Sequence, residues 1–445
     1  MKSSKFFDII AGTACAVLAA APAIGNAGEI RVRTELDRDV LVAGRAQKAI
    51  VRICIEPGPV RRPAKRPATN VGIVLDRSGS MQGKKLRYAK EGAVEALDRL
   101  DRRDTFSLVA YAREVNTVVS ARQVDNTTSI ARSIREIEAG GNTALHAGVK
   151  QGAAELSEFQ DTGRFNRLIL LSDGLANVGP STPGALKRLG QELSGEDISV
   201  STVGVGLGFN EDLMTALAEA GGGNTYFVES VEDLPRIFEA EIGDVLNVAA
   251  RKVVIQVECG EGVRPVRVIG RKANVRGGRV EVEIPQVYGG QEKDVLLEVE
   301  VTGGHAGKAR DLASVDVRYE DAGTGGAVTI RSKASAKFTG DARKSEASAN
   351  VTVIRLATDN EIAEAKDEAV RLMDEGKKSE AASCLRDLKV RVSTKNANLD
   401  DGYLEKQTDA LEAEAADLES KGMSNAKRKS YRAESWQTRN QQKKH

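Results

Sequence analysis

Between residues 71 and 245 the hydrophobic pattern changes period again and again, and this restricts the fold more than any other feature of the chain. Short runs apolar on both faces, 71–75, 106–111, 168–171, 198–206 and 225–228, alternate with stretches whose apolar residues recur at three-and-four spacing. In the first such stretch Leu86, Ala89, Ala93, Leu97 and Leu100 share one face, opposite Lys84, Arg87 and Lys90. Further helices are expected over 128–138, 143–158, 183–194, 211–220 and 232–240, with 115–120 as a short edge strand. Strands buried on both faces and separated by helices require a mostly parallel sheet covered on both sides. The expected fold class is therefore α/β, a doubly wound six-stranded domain over residues 70–245.

The flanks read differently. Residues 28–56 alternate in strand fashion, and a Pro- and Arg-rich linker follows up to residue 69. After about residue 244 the period returns to two, with Gly-rich turns, as in an antiparallel sandwich. The early strands have no other partner, so 28–69 is expected to complete a β-sandwich with 246–345, leaving the α/β domain inserted between its strands. Residues 355–421 are helical in pattern, beginning with a hairpin that turns at Gly376. The last segment, 422–445, is polar and basic and is expected to be disordered, solvated or in contact with anionic envelope material.

Lys2 and Lys5 precede an alanine-rich apolar run that ends in small residues before Gly28, which reads as an export signal over residues 1–27. The protein is expected to be periplasmic or extracellular, an uncleaved signal anchor being the alternative, with no later segment apolar enough to span a membrane. Cys54, Cys259 and Cys384 then remain. Three cysteines without a CxxC pair do not support a zinc site. They leave two readings: a Cys54–Cys259 disulfide within the sandwich, or three unpaired core thiols. A formal charge of +1 carries no footprint for nucleic acid.

In a doubly wound sheet, ligands bind beyond the carboxyl ends of the strands, where the strand order reverses. The first strand ends at Asp76, with Ser78 and Ser80 two and four residues on. The loop GGNTALHAG brings Thr143 to a helix start, and the fourth strand ends at Asp173. With strand order 3-2-1-4-5-6, Asp76, Ser78, Ser80, Thr143 and Asp173 converge. Five oxygen donors without His or thiolate select Mg²⁺, Mn²⁺ or Ca²⁺. Two carboxylates and three neutral hydroxyls leave such an ion able to take an outside carboxylate. The alternative is a metal that only rigidifies the loops.

These three segments, Asp76-Arg77-Ser78-Gly79-Ser80, Gly141-Asn142-Thr143 and Ser172-Asp173-Gly174, resemble the metal-ion-dependent adhesion site of von Willebrand factor type A domains. Phrases such as SDGLANVG and the flanking strands are similar to exported bacterial proteins of this class, and more loosely to inter-alpha-trypsin inhibitor heavy chains. The resemblance implies Mg²⁺-dependent binding of a protein that presents an acidic residue. It also implies hydroxyls as direct ligands, aspartates acting wholly or partly through water, and a last helix, 230–243 here, whose movement tunes affinity.

Enzyme chemistry has little raw material. No G-x-S-x-G elbow or Walker loop occurs. The chain has three histidines, of which His146 is expected to pack on a helix face and His445 is terminal. Gly204, Gly206 and Gly208 lack the third glycine spacing of a dinucleotide loop and read as a strand-to-helix turn. A non-enzymatic binding module is expected. An envelope scaffold, or a partner of an ATPase or transport complex, is the competing reading.

Overall fold

The computed structural model of the chain describes residues 30–58, 66–160 and 163–442. The expected export signal and His445 lie outside these residues. The chain opens with β1 (Ile30–Leu36), β2 (Val40–Val42) and β3 (Gln47–Pro57). The α/β domain follows as β4 (Thr69–Asp76), α1 (Lys84–Asp98), β5 (Thr105–Tyr111), β6 (Val115–Gln123), α2 (Thr127–Arg135), α3 (Leu145–Ser157), β7 (Phe165–Ser172), α4 (Pro183–Gly195), β8 (Ile198–Val205), α5 (Glu211–Gly221), β9 (Gly222–Val228) and α6 (Leu234–Val245). Strands β10 (Val248–Cys259), β11 (Val263–Ile269), β12 (Asn274–Arg276), β13 (Arg279–Tyr288), β14 (Lys293–Val301), β15 (Ala309–Asp321) and β16 (Ala327–Thr339) come next. The chain finishes with α7 (Ala342–Glu346), α8 (Val351–Asp374), α9 (Lys378–Asn396), α10 (Gly402–Lys421) and α11 (Asn425–Asn440).

The α/β sheet runs β6-β5-β4-β7-β8-β9, parallel except for the antiparallel edge strand β6. Every residue of β4, β5, β7 and β8 is buried, because both faces are covered. Ile73, Leu75, Ile169 and Leu171 pack with Leu86, Ala93 and Leu97 of α1 and Phe238 and Ile242 of α6. Val74, Leu168 and Leu170 face the other way, toward Val149 of α3, Leu189 of α4 and Leu217 of α5. Helices α1 and α6 meet at Gly92, where a Cβ would lie 2.5 Å from the Phe238 ring. Alanine there would drive the two helices apart.

The flanking strands form two sheets, β1-β3-β14-β11 and β12-β13-β10-β15-β16-β2, around one apolar core. The chain leaves this sandwich after β3 and re-enters at β10, so the α/β domain is an insertion. All sandwich pairs are antiparallel except the three-residue β16–β2 pair, which is parallel. Of the two cysteine readings, the Cys54–Cys259 disulfide does not form, and Cys54, Cys259 and Cys384 are all free. Val51, Ile53 and Ile55 point into the core, so alternation turns Arg52 and Cys54 to the opposite face of β3. Cys259 borders the core itself. The two thiols thus face apart, which a disulfide does not tolerate.

Gly376 makes the α8–α9 turn at φ +75°. The segment expected to be a disordered tail instead carries helix α11, with Tyr431, Ala433 and Trp436 buried. Its basic residues find acidic partners on other elements. Arg428 pairs with Asp212 at 2.7 Å and Asp374 at 2.8 Å, Arg432 with Asp367 at 3.0 Å, and the α11 residue Glu434 with Lys366 at 2.8 Å. No helix among the described residues is long and apolar enough to cross a membrane.

Candidate metal centre

Strand β4 lies at the point where the order reverses, between β5 and β7, and ends on Asp76. Asp76 is fully buried, and both its oxygens are held in place. Oδ1 accepts the Ser78 backbone N–H at 2.8 Å, while Oδ2 accepts the Ser172 hydroxyl at 2.7 Å and the Tyr111 hydroxyl at 3.4 Å. Burial pushes the Asp76 carboxyl above its ordinary range, against the pull of the Ser78 and Ser172 hydrogen bonds.

A chain of hydroxyls runs on from there. Ser78 and Ser80 share a 3.1 Å hydrogen bond, and Ser80 donates to Asp173 Oδ1 at 2.7 Å. Asp173 follows directly after β7, almost fully buried, and its Oδ2 accepts from Lys85 Nζ of α1 at 2.5 Å. Thr143 arrives on the loop before α3. That loop is fastened to the first motif by Gly79 N–H to Gly141 O at 3.1 Å and Gly140 N–H to Arg77 O at 2.8 Å. Asn177 then takes the Thr143 N–H on its side chain at 2.9 Å. All five residues expected from the sequence therefore meet at the carboxyl end of the central strands β4 and β7. Lys85, Tyr111, Ser172 and Asn177 support them. Ser172 belongs to the third motif segment, whereas Lys85, in the first turn of α1, Tyr111 and Asn177 lie outside all three.

Ser80 Oγ and Thr143 Oγ1 each lie 3.5 Å from where a Cβ of Gly174 would sit, so the two hydroxyls come to one spot beside it. The donor set tests whether a cation fits. Oxygen donors of two carboxylates and three hydroxyls suit a hard divalent cation. Among the described residues, one group of His, Cys, Asp or Glu has metal-like spacing: Cys54, Glu56 and Glu292. It already holds a cation of its own, since Arg52 Nη2 lies 3.3 Å from Cys54 Sγ and 3.1 Å from Glu292.

The rim of the site is unusual. Leu175, beside Gly174, is 59% exposed, and Leu207, in the turn after β8, is 50% exposed. They are two of the four large apolar side chains exposed among the described residues. Ser80 is exposed as well. Exposed apolar side chains gathered around a polar centre mark interaction surfaces more often than scattered ones do.

Residues 70–240 match the von Willebrand factor type A domain. An uncharacterized protein of Synechocystis, sll0103, is 27% identical over 275 residues, covering 59% of this chain and 64% of its own length. Human inter-alpha-trypsin inhibitor heavy chain H4 is 29% identical over 164 residues, which is 35% of this chain and 17% of that protein. The chain thus spans less than two thirds of either curated relative. A solved von Willebrand factor type A protein from Catenulispora acidiphila shares the fold with a TM-score of 0.65 at 20% identity, over 87% of this chain and 95% of that one. Domains of this type are generally protein-interaction modules without catalytic activity and typically bind a divalent metal. The chain carries a von Willebrand factor type A domain over residues 70–240.

Proposed function

We propose that the chain is an exported, non-enzymatic binding protein that captures a carboxylate of a partner protein through a divalent cation. Asp76, Ser78, Ser80, Thr143 and Asp173 would hold the ion, with Mg²⁺ the expected resident and Mn²⁺ or Ca²⁺ the substitutes. The bound ion supplies an electrophilic centre with a position for an outside oxygen ligand. The chain's own residues do the rest. Ser172 and Tyr111 fix the Asp76 carboxylate, and Asn177 orients the Thr143 loop.

The observation that carries this reading is the convergence of Asp76, Ser78, Ser80, Thr143 and Asp173, with Ser80 exposed and with Leu175 and Leu207 exposed in the turns after β7 and β8. A small anion needs no apolar rim, whereas a protein surface brings apolar area of its own. The competing reading is an ion that only rigidifies the loops carrying Asp76, Thr143 and Asp173.

Capture from envelope extract separates the two readings. Wild type, Asp76→Ala and Thr143→Ala are compared in Mg²⁺ and in EDTA, each checked for folding by circular dichroism. Partner captured by wild type in Mg²⁺, and lost in EDTA and in both variants, supports the proposal. Equal capture under all these conditions sinks it. Fractionating cells that express the chain with and without residues 1–27 tests export, and cytoplasmic retention of the full chain would contradict it.

A further inference from the structure

A second pocket, about 720 Å³ in volume, lies at the opposite end of the α/β sheet, where the start of β9 meets β11–β13 and α11. That is the size range of small-molecule sites. Its deep end is built from basic and indole donors. Lys293 of β14 is 6% exposed and Trp436 of α11 is 5% exposed. Arg271, in the β11–β12 connection, comes in beside them with Arg439.

These donors are poorly matched with acceptors. Arg271 makes one long hydrogen bond, Nη2 to Gln441 Oε1 at 3.4 Å, and its Nε is buried without a partner. The Trp436 indole N–H is likewise buried without a partner. Lys293 Nζ donates to the Asn440 and Gln441 carbonyls at 2.6 and 3.3 Å. Among the described residues neither Arg271 nor Lys293 has an ion pair. The nearby acids are engaged elsewhere: Asp294 by Arg52 at 2.7 Å, Asp244 by Gln291 at 2.7 Å, and Asp367 by Arg439 at 2.7 Å. Unpaired buried cations are costly. Burial, with Arg271 alongside, pushes the Lys293 ammonium down to about 7.

We propose that this pocket binds a small molecule through an oxyanion, a phosphate or carboxylate group received by Arg271, Lys293 and the Trp436 indole N–H. Arg271, Lys293 and Trp436 line the same pocket, and an oxyanion there would bring the acceptors that these donors lack, as charge-assisted hydrogen bonds. The exposed Lys272, Asn274 and Glu283 also line the pocket, which suits a polar rather than an apolar body. The site shares no residue with the metal centre and stands or falls independently of it.

Trp436 is the only tryptophan in the chain, so its fluorescence reports on this pocket alone. The full chain is titrated in EDTA with inorganic phosphate and separately with acetate, at constant ionic strength made up with chloride. A saturable change with either anion, weakened about tenfold or more in Arg271→Gln, is expected from the loss of a charged donor. The anion that binds more tightly assigns the group. Lys293→Met serves as the second variant, since either substitution relieves a buried charge and melting curves report whether each folds. No saturable change with either anion, or equal binding in wild type and in both folded variants, would overturn the proposal.

Discussion

Lys85 Nζ donates to Asp173 Oδ2 at 2.5 Å, the carboxylate oxygen that Ser80 leaves free. The first turn of α1 thus holds a cation against one of the two aspartates expected to hold a metal. A divalent ion at Asp173 has to share or displace it. Two positive charges within a few ångströms, partly screened by solvent, repel by roughly 1–2 kcal/mol. Lys85→Met is therefore expected to tighten Mg²⁺ binding about tenfold in isothermal titration. Unchanged or weaker affinity would show that the Lys85 contact does not compete with the ion.

Helix α11 ties its neighbours together through a buried charge. Lys429 is almost wholly buried, donates to the Phe209 carbonyl at 2.5 Å and pairs with Glu211 at the start of α5. Lys429→Met leaves Glu211 with Arg428 as its remaining charged partner. Breaking such a pair is expected to cost about 3 kcal/mol. Hydrogen exchange should rise in α11 and at the start of α5, while Lys421→Ala, on an exposed side chain, should leave both unchanged. Full protection of α11 in Lys429→Met would mean that the apolar contacts of Tyr431 and Trp436 suffice.

Asp244, near the end of α6, gives a pH signature. Burial, together with Glu241, pushes its carboxyl up to about 6. A raised acid binds a proton in the folded state more readily than in the unfolded one. Its destabilising effect is then full above about pH 6 and disappears as the pH falls toward 3.8, its ordinary value. A shift of this size corresponds to roughly 3 kcal/mol. Asp244→Asn retains an acceptor for Gln291, so it should raise the melting temperature at pH 7.5 and change it little near pH 4. A variant that melts lower than wild type at pH 7.5 would contradict this assignment.

What the sequence made legible follows from which information is local. The period of the apolar residues in 71–245 sets strand and helix identity. The reversal of strand order then brings Asp76 and Asp173 together without any knowledge of side-chain contacts. Lys85 has no marker in the sequence, because a charge beside the apolar stripe of α1 reads as part of the solvated face. Helix α11 is illegible for a different reason. Glu211 and Asp212, which pair with Arg428 and Lys429, lie more than two hundred residues away. A segment stabilised by distant charges is indistinguishable, read alone, from a solvated one. Which face of its strand each thiol occupies is a tertiary fact, so the sequence leaves the Cys54–Cys259 disulfide and three free thiols both open, and the structure has the free thiols.

Titrating the EDTA-stripped chain with Mn²⁺, followed by electron paramagnetic resonance, tests the metal centre most directly. Wild type should bind one ion per chain, Mg²⁺ should displace it, and Asp76→Ala and Thr143→Ala, each still folded, should bind none. No bound Mn²⁺ in wild type, or the same bound ion in both variants, would contradict a cation held by Asp76, Ser78, Ser80, Thr143 and Asp173.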